Sequence, residues 1–149
     1  MRARFAIPFV ALAATLPMLA GYVLPGSADE PAPLGPGVVT VEVAMRHSRY
    51  SVDDLRVYEG TLVRFVMVND DPIHHEFVTG GSDVHAAHAK GTDEFHPPVP
   101  GEVSVEPSET GFTAYLFDEP GTTLFACHLP RHYEYGMKGE VEVVPLPEG

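Results

Sequence analysis

The chain holds a single cysteine, Cys127, so no disulfide can form within it. Basic residues are also scarce. Nine Lys and Arg stand against 21 Asp and Glu, a formal net charge of −12. Nucleic acid and anionic membrane surfaces need a basic face, so both are excluded as partners of the folded part. An acidic surface serves solubility, and it suits a protein partner with a basic face. There is no internal repeat and no low-complexity tract. Long helices are not expected either, because 15 prolines and 14 glycines punctuate the 149 residues and favour short strands between turns.

Only one long apolar run occurs, and it lies at the start. MRARFAIPFVALAATLPMLAGYVLPGSADE carries Arg2 and Arg4 ahead of an uncharged stretch from Phe5 to Leu24. Positive charge on that side holds the N-terminus in the cytoplasm and directs the rest outward. Gly26-Ser27-Ala28 before Asp29 is a small-residue cleavage candidate. Residues 1–28 therefore read as a signal peptide or an N-terminal membrane anchor, since the run is also long enough to span a bilayer. The domain is expected outside the cytoplasm: periplasmic, extracellular, or anchored to the outer face of the cytoplasmic membrane. There, an unpaired cysteine is a reactive thiol, an intermolecular bridge or a metal ligand.

Residues 29–37 read as a Pro/Gly-rich linker too extended to pack, and residues 38–149 as one domain. Within it, VVTVEVAM (38–45) and TLVRFVMVN (61–69) carry the β-branched, alternating pattern of sandwich strands. Residues 51–57 read as a polar turn with a short strand. HHEFVT (74–79), 103–105, 112–117, 122–127 and 139–144 complete the β segments. Residues 80–91 break the pattern. Ser82 suits a helix N-cap, Asp83 the first turn, Lys90 the last and Gly91 the stop, so a short helix is expected. Seven or eight short strands with turns between them indicate an all-β, antiparallel sandwich.

CHLPRHYEYGM (127–137) lies between the last two strands. A loop held at both ends can aim Cys127, His132 and Met137 at one point. Thiolate, imidazole and thioether are soft and borderline donors that suit copper, and a His₂Cys set with a weak axial Met is the blue-copper arrangement. The missing imidazole is sought at an upstream strand end, where His75 follows the turn NDDP. His74 and His128 are alternatives; alternation along a strand allows only one of each adjacent pair to reach the metal.

The spacing C-x4-H-x4-M before a final strand, with an upstream His, resembles the cupredoxin family, and the likeness covers most of residues 38–145. It implies a Greek-key β-sandwich, ligands at His75, Cys127, His132 and Met137, one type 1 copper ion, and one-electron transfer between redox partners by a monomer. It also implies that His132 is the electron port, with Leu129, Pro130, Tyr133 and Tyr135 as a docking rim. Many members carry Asn after the upstream His, where this chain has Glu76; an inward carboxylate there favours Cu(II) and lowers the potential. A copper oxidase or nitrite reductase needs further copper sites, typically with His-x-His pairs, which this chain lacks, so no enzyme is expected. The alternative function is copper handling outside the membrane, as chaperone, scavenger or sensor. Met137 and Cys127 are otherwise read as ordinary core residues. His85 and His88 share one face of the expected helix and, with His96, form either a looser second metal site or simply an exposed histidine-bearing surface. Asp53-Asp54 and Asp70-Asp71 read as turns.

Overall fold

The computed structural model describes residues 31–91 and 98–148. The expected leader and His96 lie outside the described residues. The strands are β1 (Val38–Met45), β2 (Asp54–Tyr58), β3 (Thr61–Asn69), β4 (His75–Gly80), β5 (Glu102–Val105), β6 (Thr110–Phe117), β7 (Gly121–Ala126) and β8 (Lys138–Val144); one helix, α1 (Ser82–His88), follows β4. They form two facing sheets, ordered β1-β3-β6 and β2-β8-β7-β4-β5.

Alternation along the strands builds the core. In β3, Thr61, Val63, Phe65, Met67 and Asn69 are buried and the residues between them are not. In β8, Gly139, Val141 and Val143 are buried in the same way. The two inner faces meet around Phe77, whose ring lies 4.7 Å from Phe65, 5.4 Å from Phe125 and 5.7 Å from Tyr50. Each such fully buried ring contributes about 1.5–3 kcal/mol through apolar burial. Gly139 is obligatory, because a Cβ there would run into the Asp53 carbonyl and the Phe125 ring.

Among the described residues the sandwich, its eight strands and its short helix match expectation, but the pairing is not wholly antiparallel. β1 runs parallel to β3, and β2 parallel to β8. Between β1 and β3 the chain crosses to the other sheet to form β2 and returns, so two reversals restore its direction. The linker is also less detached than expected. The Leu34 N–H donates to the Arg56 carbonyl (2.8 Å), and the Tyr58 N–H donates to the Leu34 carbonyl (2.9 Å). β2 is an edge strand of its sheet, and its open side accepts this extra pairing.

β4 is buried along its whole length, with neighbours on both edges and α1 packed against it. Ser82 is not the helix cap; it is the first helical residue, and Gly81 is the N-cap with no side-chain hydrogen bond. Gly91 does follow the helix at φ +92°, the left-handed stop that glycine supplies.

Candidate metal centre

β4 begins where β7 ends, because the two run antiparallel with Val78 opposite Ala126 and Gly80 opposite Leu124. This puts His75 and Cys127, 52 positions apart in sequence, at the same end of the sandwich. The loop from 128 to 137 then folds back over that end. Its turns are closed by backbone bonds from His132 to Leu129, Tyr135 to Arg131 and Gly136 to Tyr133, each 3.0 Å. Gly136 at φ +91° and Arg131 at φ +72° take the left-handed conformations that so tight a loop demands.

His75, Cys127 and His132 converge, with one ligand atom from each lying within 4.8 Å of the others. His75 Nδ1 is 3.3 Å from His132 Nδ1, and Cys127 Sγ is 3.2 Å from the same His132 atom. Two imidazole nitrogens bound about 2.0 Å from one ion at a tetrahedral angle lie roughly 3.3 Å apart. Met137 is fully buried and shares the hydrophobic core with Cys127. Its N–H donates to the His132 carbonyl (2.9 Å), and its carbonyl accepts from the Cys127 N–H (3.0 Å). Two imidazoles and a cysteine sulfur form a donor set that fits a copper ion.

The surrounding groups fix these donors. His75 Nε2 is 2.8 Å from Asp71 Oδ2, which leaves Nδ1 to face the cluster. Asp71 also accepts the N–H groups of His47 (2.7 Å) and Ser48 (2.8 Å). Asp71 was legible only as part of a turn; its place four residues before His75 is the signal that could have marked it. Glu76 Oε1 accepts the His128 N–H at 2.6 Å, joining β4 to the loop. Tyr50 pins the same strand from behind, its hydroxyl donating to the Glu76 carbonyl at 2.6 Å.

Protonation follows from burial. The Cys127 thiol is pushed from 9.0 up to about 12 by burial, against the pull of the Glu76 and Leu129 amides and with the Glu76 carboxylate adding to the rise. His75 is lowered by burial, which outweighs its bond to Asp71. His132 is lowered by burial and by the charge of His75. Burial opposes the Asp71 carboxylate, yet the Ser48 and His47 amides and His75 outweigh it, and its pKa is lowered.

Of the two alternative ligands, His74 stays outside the cluster and His128 turns the other way, to His85. His132 is half-buried beside half-buried Leu129 and Tyr133 and exposed Pro130 and Tyr135. His85 and His88 are buried, only 7% exposed each, so the expectation of an exposed histidine-bearing helix does not hold.

Two facing sheets with a His₂Cys cluster at one end define a small cupredoxin-like protein. The family described as multicopper oxidase matches residues 37–147, and the chain belongs to that family. The copper-resistant cuproprotein CopI of Rubrivivax gelatinosus is 35% identical over 108 residues, covering 70% of this chain and 66% of that protein, just under two thirds of its length. CopI of Pseudomonas aeruginosa is 26% identical over 148 residues, covering 78% of this chain and 82% of its own. Among solved structures, auracyanin B is 31% identical with a TM-score of 0.58, over 71% of this chain and 88% of that one.

Proposed function

We propose that this chain holds one type 1 copper through His75, Cys127 and His132 with Met137 as the weak axial ligand, and carries single electrons between redox proteins outside the cytoplasm. The observation behind this is the convergence of two imidazole nitrogens and one buried sulfur within 4.8 Å, from residues 52 and 57 positions apart. Copper bound there supplies a one-electron couple between Cu(I), which favours sulfur, and Cu(II), which favours nitrogen. The chain's own residues supply rigidity. Asp71 orients His75, Glu76 ties the loop to β4, and the Met137 backbone bonds both Cys127 and His132. Donors held this firmly move little between the two oxidation states. The half-buried His132 is the electron port, and its neighbours Leu129, Pro130 and Tyr135 form a partly apolar rim for a partner. A net charge of −12 favours a partner with a basic face.

Copper handling is the second reading. Its support is that two relatives carry the name copper-resistant cuproprotein. Visible and EPR spectroscopy on Cu(II)-loaded protein tests the centre. Cys127→Ala abolishes the thiolate charge-transfer band, whereas Met137→Leu keeps most of it and raises the potential. A Cys127→Ala protein that stays coloured refutes the ligand set. Repeated oxidation and reduction without metal loss supports the carrier; release to a chelator upon reduction supports handling.

A further inference from the structure

The proposed centre uses none of His85, His88 and His128, yet these three gather on its far side. His85 Nδ1 lies 2.9 Å from His128 Nε2, and their ring centroids are 5.2 Å apart. The His88 ring lies 6.0 Å from that of His128, and its Nε2 is 3.4 Å from Glu102 Oε2. We propose that His85 and His128 hold a second metal ion, a copper(II) in tetragonal coordination, with water in its remaining positions. This site does not depend on the reading of the first, since it shares no ligand with it.

Three features point to metal. The first is how the rings are held. His85 Nε2 donates to the Leu124 carbonyl (3.0 Å), which leaves Nδ1 as the lone-pair nitrogen facing His128. His88 repeats the pattern, with Nδ1 donating to the Val84 carbonyl (3.0 Å) and Nε2 turned toward the carboxylate. A histidine whose other nitrogen is bonded to a backbone carbonyl is how proteins orient metal ligands. The His128 ring is fixed as well, stacked on Tyr133 at 5.5 Å and 11° while its backbone N–H is held by Glu76.

The second feature is the spacing. Two nitrogens about 2.0 Å from one ion lie roughly 2.8–2.9 Å apart when adjacent in a square plane, and about 3.3 Å apart in a tetrahedron. The observed 2.9 Å is the square-planar value, in contrast to the 3.3 Å between His75 and His132. The third is donor chemistry and access. Imidazole nitrogens and water, without sulfur, favour Cu(II) over Cu(I), and copper(II) heads the divalent series in affinity. His85 and His128 both line a surface cavity of about 750 Å³, together with Leu124, Leu129, Tyr133 and Glu134, so an ion can reach them and water can fill the open positions.

A hydrogen bond from His128 to His85 would give the same 2.9 Å, and the experiment separates the two. Cu(II) is titrated into the metal-free full chain and followed by visible absorption and EPR. A first equivalent is expected to develop the thiolate band, and a second to add a signal with wide copper hyperfine splitting and nitrogen superhyperfine structure but only weak d–d absorption and no new intense visible band. His85→Gln removes the second signal, or weakens that binding at least about tenfold, and leaves the thiolate band intact, which also shows that the variant folds. His128→Gln does the same should His85→Gln fail to fold. A His75→Ala/Cys127→Ala protein, stripped of the first centre, still binds one Cu(II) with the second signal. Binding that stops at one equivalent overturns the proposal. So does a second equivalent held as tightly by His85→Gln and His128→Gln as by the unaltered chain.

Discussion

The Cys127 thiol gives the sharpest quantitative test. Burial carries it from 9.0 to about 12. At 1.36 kcal/mol per unit this is about 4 kcal/mol of extra cost for the bare thiolate. An ordinary thiol would be about 90% ionised at pH 10, and this one only about 1%. The thiolate absorbs near 240 nm, so the difference spectrum between metal-free protein and its Cys127→Ser variant isolates it from the tyrosines, which both share. The expected band at pH 10 is nearly absent from the folded protein and appears at full strength once urea unfolds it. Copper binding should then release one proton from Cys127 anywhere between pH 7 and 10, because both histidines are already neutral there. Apparent affinity should rise tenfold per pH unit across that interval. A full thiolate band at pH 10 in folded protein, or proton release that fades toward zero by pH 10, would show that Cys127 is not held in the dry environment described.

Asp71→Ala should weaken copper binding about 10–100-fold, because His75 loses the acceptor that orients it. The same change strands the His47 and Ser48 amides and should cost the metal-free protein about 1–3 kcal/mol; chelator competition and urea unfolding measure the two effects, and an unchanged affinity would remove Asp71 from the centre. The metal-free fold should also lose stability as pH falls. His75, His85, His128 and His132 all have lowered folded pKa values, chiefly through burial, so below 6.5 the unfolded chain binds more protons than the folded one. The histidine contribution is fully present above 6.5 and is lost as pH drops toward about 4, where folded His128 itself titrates. Asp71, whose folded pKa is lowered, adds stability that persists above its ordinary 3.8 and disappears only at still lower pH. A urea midpoint that stays flat from pH 7 to 4.5 would contradict this.

What sequence could reveal depended on how local each feature is. The alternation of Val63, Phe65 and Met67 is a property of nine consecutive residues, so β3 was legible to the residue. Cys127, His132 and Met137 share one loop, and their spacing survives whatever the rest of the fold does. His75 needed a non-local assumption, but a turn before a strand end narrowed the choice. The direction of β1 against β3 left no mark in either strand, because side-chain pattern records which face is buried and not which way the neighbour runs.

The histidine pair beyond the first centre was hidden for a different reason. The β4–β7 ladder ends with Val78 opposite Ala126, so Glu76 and His128 both lie just beyond it at the same end of the sandwich. That register is why the Glu76 carboxylate reaches the His128 N–H, and it fixes which way each member of the Cys127-His128 pair points. The thiol goes inward to His132 and the imidazole outward to α1, where His85 waits. Spacing within the helix grouped His85 with His88 correctly, yet the partner they meet is His128, which is set by a strand register 40 residues away. Neighbours in sequence that face opposite ways are a direct covalent link between the two clusters. A perturbation of the β4–β7 register at Glu76 should therefore disturb both together, while one at Asp71 disturbs only the first.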